Sequence, residues 1–225
     1  MNPFQWMVLI VSFPILYLQS FKVRNADFET RFQCLQKNCQ NLLKVMGIEI
    51  EMIVSSKIDL KETYYLVSNH QGTLDPILIM ASSPFPHSFI SKKENLKIPV
   101  VKTWGRLIEF ITFDRTNFEQ NVAMLRSATR YLKEGRSLLI FPEGTRSRGE
   151  SLLPFKEKAL SPAYFAKRGI VPLSLKNAYA LDEFGFKHKK ITLTYHDPIP
   201  YSQLSPLSYI ECADTLSEII ASAAH

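Results

Sequence analysis

The stretch Tyr64-Tyr65-Leu66-Val67-Ser68-Asn69-His70-Gln71-Gly72-Thr73-Leu74-Asp75-Pro76-Ile77-Leu78-Ile79-Met80-Ala81 decides the fold of this chain. It opens on a short apolar run with aromatic and branched side chains, the pattern of a buried strand over Tyr64 to Ser68. It closes on an apolar segment, Pro76 to Ala81, that reads as a helix. Asp75 followed by Pro76 is an N-cap and first-turn signal for that helix. In the loop between, an imidazole, His70, precedes the carboxylate of Asp75 with four residues intervening. Gly72 eases a turn that would bring the two together. In open α/β sheets ligands bind at the carboxyl ends of strands, which is where this loop falls.

The same alternation extends outward. Ser88 to Ser91, Ile111 to Asp114, Ser137 to Phe141, Ile170 to Leu175 and Lys190 to Tyr195 read as strands. Helices are expected over Ile98 to Leu107, Asn117 to Lys133, Lys158 to Lys167 and Ser208 to Ala221, with Gly135 and Gly169 ending the second and third. Upstream, Ile48, Ile50, Met52 and Val54 alternate with Glu49, Glu51 and Ile53, a half-exposed strand. Phe28, Phe32, Leu35, Cys39, Leu42, Leu43 and Met46 recur at three- and four-residue steps. They predict a helix from about Asp27 to Met46 that Asn25 or Asp27 can cap and Gly47 ends. The expected fold is α/β: a single, mostly parallel sheet flanked by helices, preceded by an N-terminal two-helix membrane-associated element. Those helices occupy residues 1–47 and the α/β domain residues 48–225.

The first helix decides location. From Phe4 to Leu18 the only polar side chains are Gln5 and Ser12. Fifteen helical residues reach about 22 Å, short of the roughly 30 Å hydrocarbon core, and Pro14 is expected to kink them. No basic segment precedes the stretch and no small-residue cleavage site follows, which argues against a signal peptide. Lys22 and Arg24 can sit at anionic headgroups. The expectation is a monotopic anchor in one leaflet, with the protein on the cytoplasmic face of the membrane; a buried core helix is the alternative. With 46% apolar and 21% charged residues among 225, one substantial core is affordable. A net charge of +6 suits an anionic partner. Basic and aromatic residues are not interleaved, so lipid fits better than nucleic acid. Cys34, Cys39 and Cys212 are odd in number and outside the motifs, indicating neither a disulfide framework nor a zinc site. Cys34 and Cys39, spaced like helix residues, read as buried apolar thiols.

A second string, Phe141-Pro142-Glu143-Gly144-Thr145-Arg146-Ser147, also follows a predicted strand. Gly144 allows close backbone approach to a ligand, Thr145 brings a hydroxyl, and Arg146 can fork onto two phosphate oxygens. Arg115, Lys92 and Lys156 are further candidates for the same anion, whereas Lys93 and Arg148 read better as a solvated basic face. Glu143 is expected to hold Arg146 in position. The imidazole of His70 suits a general base, with Asp75 as the orienting carboxylate. There is no Gly-x-Ser-x-Gly elbow and no cysteine near a histidine in sequence, so a covalent intermediate is not indicated.

Together and in this order, the strings resemble the glycerophospholipid acyltransferase family, which includes the 1-acylglycerol-3-phosphate acyltransferases. The resemblance covers about Tyr65 to Pro172. His70-x4-Asp75 matches the family's catalytic motif of base and partner. Ser91 to Pro99 resembles the segment usually found between the first two blocks. Asp114-Arg115 matches the end of the second block, whose arginine is associated with glycerol phosphate. Glu143-Gly144-Thr145-Arg146 matches the third, tied to acceptor binding, and Val171-Pro172-Leu173 resembles the fourth, on the acyl-chain side. The chain departs from the family at Glu109 and Thr112, usually glycine and phenylalanine, and at Phe155-Lys156-Glu157-Lys158, usually Phe-Lys-x-Gly.

The resemblance implies acyl transfer from acyl-CoA or acyl-carrier protein to the free hydroxyl of a lysophospholipid. The leading acceptor is 1-acylglycerol 3-phosphate, which would give phosphatidic acid. No cofactor beyond the acyl donor is expected, and no metal. Main-chain amides around the His70 turn would receive the oxyanion. Open alternatives are glycerol 3-phosphate or another lysophospholipid as acceptor, thioester hydrolysis, and a non-catalytic membrane-surface phospholipid-binding protein.

Overall fold

A computed structural model describes residues 3–114, 118–183 and 190–224. Helices α1 (Pro3–Val23) and α2 (Phe28–Val45) lead. There follow β1 (Glu49–Val54), β2 (Tyr64–Ser68), α3 (Asp75–Ser82), β3 (His87–Lys92), a 3₁₀ turn over Lys93–Lys97, α4 (Pro99–Leu107), β4 (Ile111–Phe113), α5 (Phe118–Lys133) and β5 (Ser137–Ile140). A second 3₁₀ turn (Glu157–Leu160), α6 (Ser161–Ala166), β6 (Gly169–Lys176), α7 (Ala180–Glu183), β7 (Lys190–Tyr195), α8 (Tyr201–Leu204) and α9 (Tyr209–Ala224) complete it.

The strands form one sheet in the order β1-β7-β6-β2-β5-β3-β4. The five from β6 to β4 run parallel. β7 joins β6 antiparallel and carries β1 parallel to itself. The sheet is therefore mostly parallel, as the alternation predicts. Successive side chains of β2 enter opposite layers, as the pleat requires. Tyr64 and Leu66 pack with Phe32, Leu42 and Leu43 of α2, Leu78 and Ile79 of α3, and Leu193 of β7. Tyr65 and Val67 pack with Leu132 of α5, Ala163 of α6, and Leu216 and Ile220 of α9.

Local signals account for most boundaries. Asp27 caps α2, its carboxylate accepting from the Thr30 amide at 2.8 Å, and Gly47 follows at φ +64. Of the helix expected over Lys158 to Lys167, the first turn is 3₁₀ and α6 begins only at Ser161; Pro162, without an N–H, belongs in a first turn. α1 runs through Pro14 to Val23, beyond the expected Leu18. β1 is exposed along nearly its whole length rather than half-exposed, because it is the sheet edge. Cys39 and Cys212 are buried and Cys34 half-buried, all three as free thiols, and burial pushes the Cys39 thiol up to about 12.

α1 is apolar on two sides. Val8 packs against the core shared by α2 and the sheet, and the Trp104 indole of α4 donates to the Leu16 carbonyl at 3.1 Å. Met7, Ile10, Val11, Ile15, Tyr17, Leu18 and Phe21 face outward and are exposed. Among the described residues no helix is long and apolar enough to cross a membrane.

Candidate active site

The loop after β2 is held from below by β6 and the segment that follows it. The Asn69 side chain donates to the Leu175 carbonyl at 2.9 Å and accepts from the Leu175 amide at 2.7 Å. Gln71 Oε1 accepts from the Ala178 amide at 2.9 Å. A Cβ on Gly72 would lie 2.9 Å from the Ala178 carbonyl oxygen, so the loop fits its floor only with glycine there. The amide and the hydroxyl of Thr73 both donate to Asp182 Oδ2 of α7, at 2.9 Å each.

In the turn so fixed, His70 Nδ1 lies 2.8 Å from Asp75 Oδ2. The same oxygen accepts from the amides of Gln71 (2.6 Å) and Gly72 (2.9 Å). Asp75 is fully buried. Burial raises its pKa, while the His70 ring and the two amides oppose the rise by favouring the carboxylate. A carboxylate on Nδ1 fixes the tautomer with Nδ1–H as donor and leaves Nε2 with its lone pair. The ring stacks on Phe141, centroids 4.2 Å apart, and keeps 20% of its side chain exposed. This is the geometry of a general base with an orienting partner. The cap expected of Asp75 is not formed. α3 starts at Asp75 itself, without a side-chain cap, because the carboxylate turns back to three donors of the preceding loop.

The second string is stitched to the first. The Ser147 amide donates to the His70 carbonyl (2.7 Å) and the Arg148 amide to the Gln71 carbonyl (3.2 Å). Glu143 lies beneath that seam, 4% exposed, and does not hold Arg146 as the sequence suggested. Its two oxygens accept instead from the amides of His70 (2.7 Å) and Leu153 (3.1 Å), because a carboxylate buried under two loops meets their inward-pointing N–H groups first. Burial pushes this carboxyl up to about 7 against those hydrogen bonds. Between the ordinary 4.5 and 7 the folded chain therefore holds a proton that the unfolded chain has lost, so Glu143's contribution to stability falls as pH rises through that window. Urea unfolding across the window is expected to show that decline in the wild type and a flatter profile in Glu143→Gln. Parallel profiles would contradict it.

Arg146 donates through Nη1 to the Thr73 hydroxyl, so it is placed by Thr73 and Asp182. Gly144 is left-handed at φ +67, and the Lys156 amine lies over it, 3.0 Å from where a Cβ would be. Thr145 is exposed. Lys92 ends β3 at the same carboxyl edge of the sheet, half-buried. Arg115 lies outside the described residues. The oxyanion donors cannot be the amides of the His70 turn. Those of His70, Gln71, Gly72 and Thr73 are engaged by Glu143, Asp75, Asp75 and Asp182. Sequence reasoning missed Asp182, which carries no motif, and the structural work of Asn69 and Gln71, which sit beside His70 in plain view.

Residues 49–176 match the model of the Acyltransferase family, more than half of the chain. The 1-acyl-sn-glycerol-3-phosphate acyltransferase of Limnanthes douglasii is 33% identical over 159 residues, 69% of this chain and 56% of that protein. The protein of the same name from Borreliella burgdorferi is 30% identical over 135 residues, 60% of this chain and 54% of that one. The chain thus spans little more than half the length of these two relatives. The fold is that of the crystal structure of the 1-acyl-sn-glycerophosphate acyltransferase PlsC from Thermotoga maritima, with a TM-score of 0.79 over 98% of this chain and 91% of that one at 24% identity. With the matched span holding both strings, the His70–Asp75 pair and the seam that joins them, the chain belongs to the Acyltransferase family.

Proposed function

We propose that the chain acylates the free hydroxyl of a lysophospholipid, 1-acylglycerol 3-phosphate first, to give phosphatidic acid, with acyl-CoA or acyl-carrier protein as donor. The observation that carries this reading is the His70–Asp75 pair stitched to the loop bearing Arg146. The relatives' names supply the acceptor. His70 Nε2 takes the proton of the acceptor hydroxyl as its oxygen attacks the thioester carbonyl. The C–O bond forms, the C–S bond breaks, and the departing thiolate recovers the proton from the imidazolium. Asp75 stabilises that imidazolium. Among the described residues, the amides of Thr145 and Arg146 have no partner within the protein, and we assign the oxyanion to them. Arg146, Thr145 and Lys156 surround the acceptor phosphate, with Arg115 and Lys92 as further cations. Glu143 acts from beneath as the support of His70. The acyl donor is a substrate, and no cofactor is assigned.

Residues 1–47 form the membrane-associated element in this reading, and α1 lays its exposed side into one leaflet on the cytoplasmic face. The test is labelled acyl-CoA offered to a panel of lysophospholipids, with free fatty acid measured alongside. Phosphatidate is the expected product. Fatty acid without ester would make the protein a thioesterase, and ester on another headgroup would move the acceptor. Arg146→Lys keeps the charge and loses the fork, so the acceptor KM is expected to rise on the order of tenfold while the donor KM holds. An unchanged acceptor KM would place the phosphate elsewhere.

A further inference from the structure

The segment after β6 reaches both strings of the site from beyond the family-matched span, which ends at Lys176. The Ala178 amide donates to Gln71 Oε1 at 2.9 Å, and the Ala178 carbonyl oxygen lies against Gly72. The Tyr179 hydroxyl donates to Glu150 Oε1 at 2.9 Å, on the loop that follows Arg146. Asp182 Oδ2 accepts from the amide and from the hydroxyl of Thr73, at 2.9 Å each. The first contacts anchor the two loops. The Asp182 contact does more, because the same Thr73 hydroxyl also meets Arg146.

Donors and acceptors fix the direction of that relay. A threonine hydroxyl has one hydrogen and two lone pairs, a carboxylate only accepts, and a guanidinium only donates. With Asp182 Oδ2 and Arg146 Nη1 both on Thr73 Oγ1, the hydrogen goes to Asp182 and a lone pair to Arg146. The carboxylate thus keeps the hydroxyl an acceptor for the guanidinium. Arg146 gives one Nη1 hydrogen to this contact, and among the described residues no other N–H of its side chain has a partner. The Nε and Nη2 hydrogens form an edge that matches two oxygens of one phosphate. Pinning Nη1 on Thr73 stops the planar group from turning and leaves that edge free. Without Asp182 the hydroxyl hydrogen can swing toward Arg146, and the guanidinium loses its fixed acceptor.

We infer that Asp182 is a positioning residue of the acceptor site: through the Thr73 hydroxyl it holds the Arg146 guanidinium with its Nε–Nη2 edge presented to a phosphomonoester headgroup. This rests on the reading of Arg146 as a ligand of the acceptor phosphate. Asp182 acts through Thr73 and touches no substrate, which suits a carboxylate beside an anion site.

The test compares a short-chain, water-soluble 1-acylglycerol 3-phosphate with the same monoacylglycerol lacking phosphate, by equilibrium binding to the full chain. Turnover of the phosphorylated compound is measured alongside. Thr73→Val removes the hydroxyl and keeps the amide bond to Asp182, so the loop stays anchored. It is expected to weaken binding of the phosphorylated compound about fivefold, the low end for a hydrogen bond to a charged group, and to raise its KM alike. The donor KM, kcat and binding of the unphosphorylated compound are expected to hold. Asp182→Ala is expected to change the same parameters by at least as much, and Thr73→Ser, which keeps the hydroxyl, to behave as the wild type. In an Arg146→Ala background Asp182→Ala is expected to add no further loss, because its effect runs through the guanidinium, whereas a merely structural role would cost the same in both backgrounds. Wild-type affinity for the phosphorylated compound in both Thr73→Val and Asp182→Ala would overturn the inference, as would equal losses for the two ligands. Unchanged binding of the phosphorylated compound in Arg146→Ala would instead remove the reading of Arg146 as a phosphate ligand, which separates the two failures.

Discussion

His70→Ala is expected to lower kcat by 10²-fold or more while affinity for the lysolipid acceptor changes little. Under the proposed function the ring transfers a proton, and its contacts give it little else to do. Asp75 holds Nδ1 at 2.8 Å, Phe141 supports one face, and 20% of the side chain is open on the remaining side. Removing it leaves the loop standing, since that loop is held by Asn69, Gln71, Thr73 and Glu143 rather than by the imidazole. Asp75→Asn asks the sharper question. An amide oxygen in the Oδ2 position can still accept from Gln71, Gly72 and His70, so the turn keeps its shape. The charge that stabilises the imidazolium is gone, however, and the new NH₂ lies where Asp75 Oδ1 is buried without a hydrogen bond. Turnover is expected to fall nearly as far as in His70→Ala, with the far-ultraviolet spectrum unchanged and some stability lost. Full turnover in Asp75→Asn would leave Asp75 a structural anchor of the turn, and full turnover in His70→Ala would end the base assignment. Both measurements need single-turnover as well as steady-state rates, because a slow release step would hide part of the loss.

The contact between His70 and Asp75 was legible because their relation is local: four residues with a glycine among them can close only a short turn. The work of Glu143 was not legible, because its partners are the amide of a residue 73 positions away and that of Leu153. Two strings known to be present are not thereby known to be stitched together, and the backbone hydrogen bonds of Ser147 and Arg148 that join them involve no particular side chain. Asp182 is 109 positions from Thr73 and stands in a segment with no periodicity to announce it. The sheet was readable from its alternating elements, but not that β7 reverses direction and leaves β1 on an open edge. Glu109 shows the converse, a departure from the family that the structure explains. Its φ of 61° is where the family usually has glycine, so this chain keeps the left-handed turn at a cost of roughly 1–2 kcal/mol. In return the carboxylate bridges Arg31 of α2 at 3.2 Å and Arg136 beside β5, tying α2 to the sheet.

Replacing Ile10, Val11, Ile15 and Leu18 by glutamine is expected to lower binding to neutral phosphatidylcholine vesicles by 10²- to 10³-fold without unfolding the chain. These side chains are 59%, 63%, 55% and 64% exposed, so each still has most of its surface to give to a bilayer. Fully burying such a side chain is worth roughly 1.5–3 kcal/mol, so the exposed share of each gives about 1 kcal/mol at the lower end, or near 4 kcal/mol for the set. The inner side of α1 is untouched by these changes: Val8 stays on the core and Leu16 keeps its carbonyl on the Trp104 indole. Deleting the whole helix is the blunter experiment, since it would uncover Trp104 and could damage α4 for reasons unrelated to lipid. Turnover of a short-chain, water-soluble acceptor should survive the four substitutions, whereas turnover of long-chain lysolipid in vesicles should fall with the lost binding. The contrast follows from where the parts lie. The His70 loop is fixed by β6, α7 and Glu143, none of which α1 supplies, so the outer face of α1 can change how much enzyme is at the membrane without changing the chemistry each bound molecule performs. Vesicle binding unchanged by the four glutamines would mean that some other surface holds the protein on lipid.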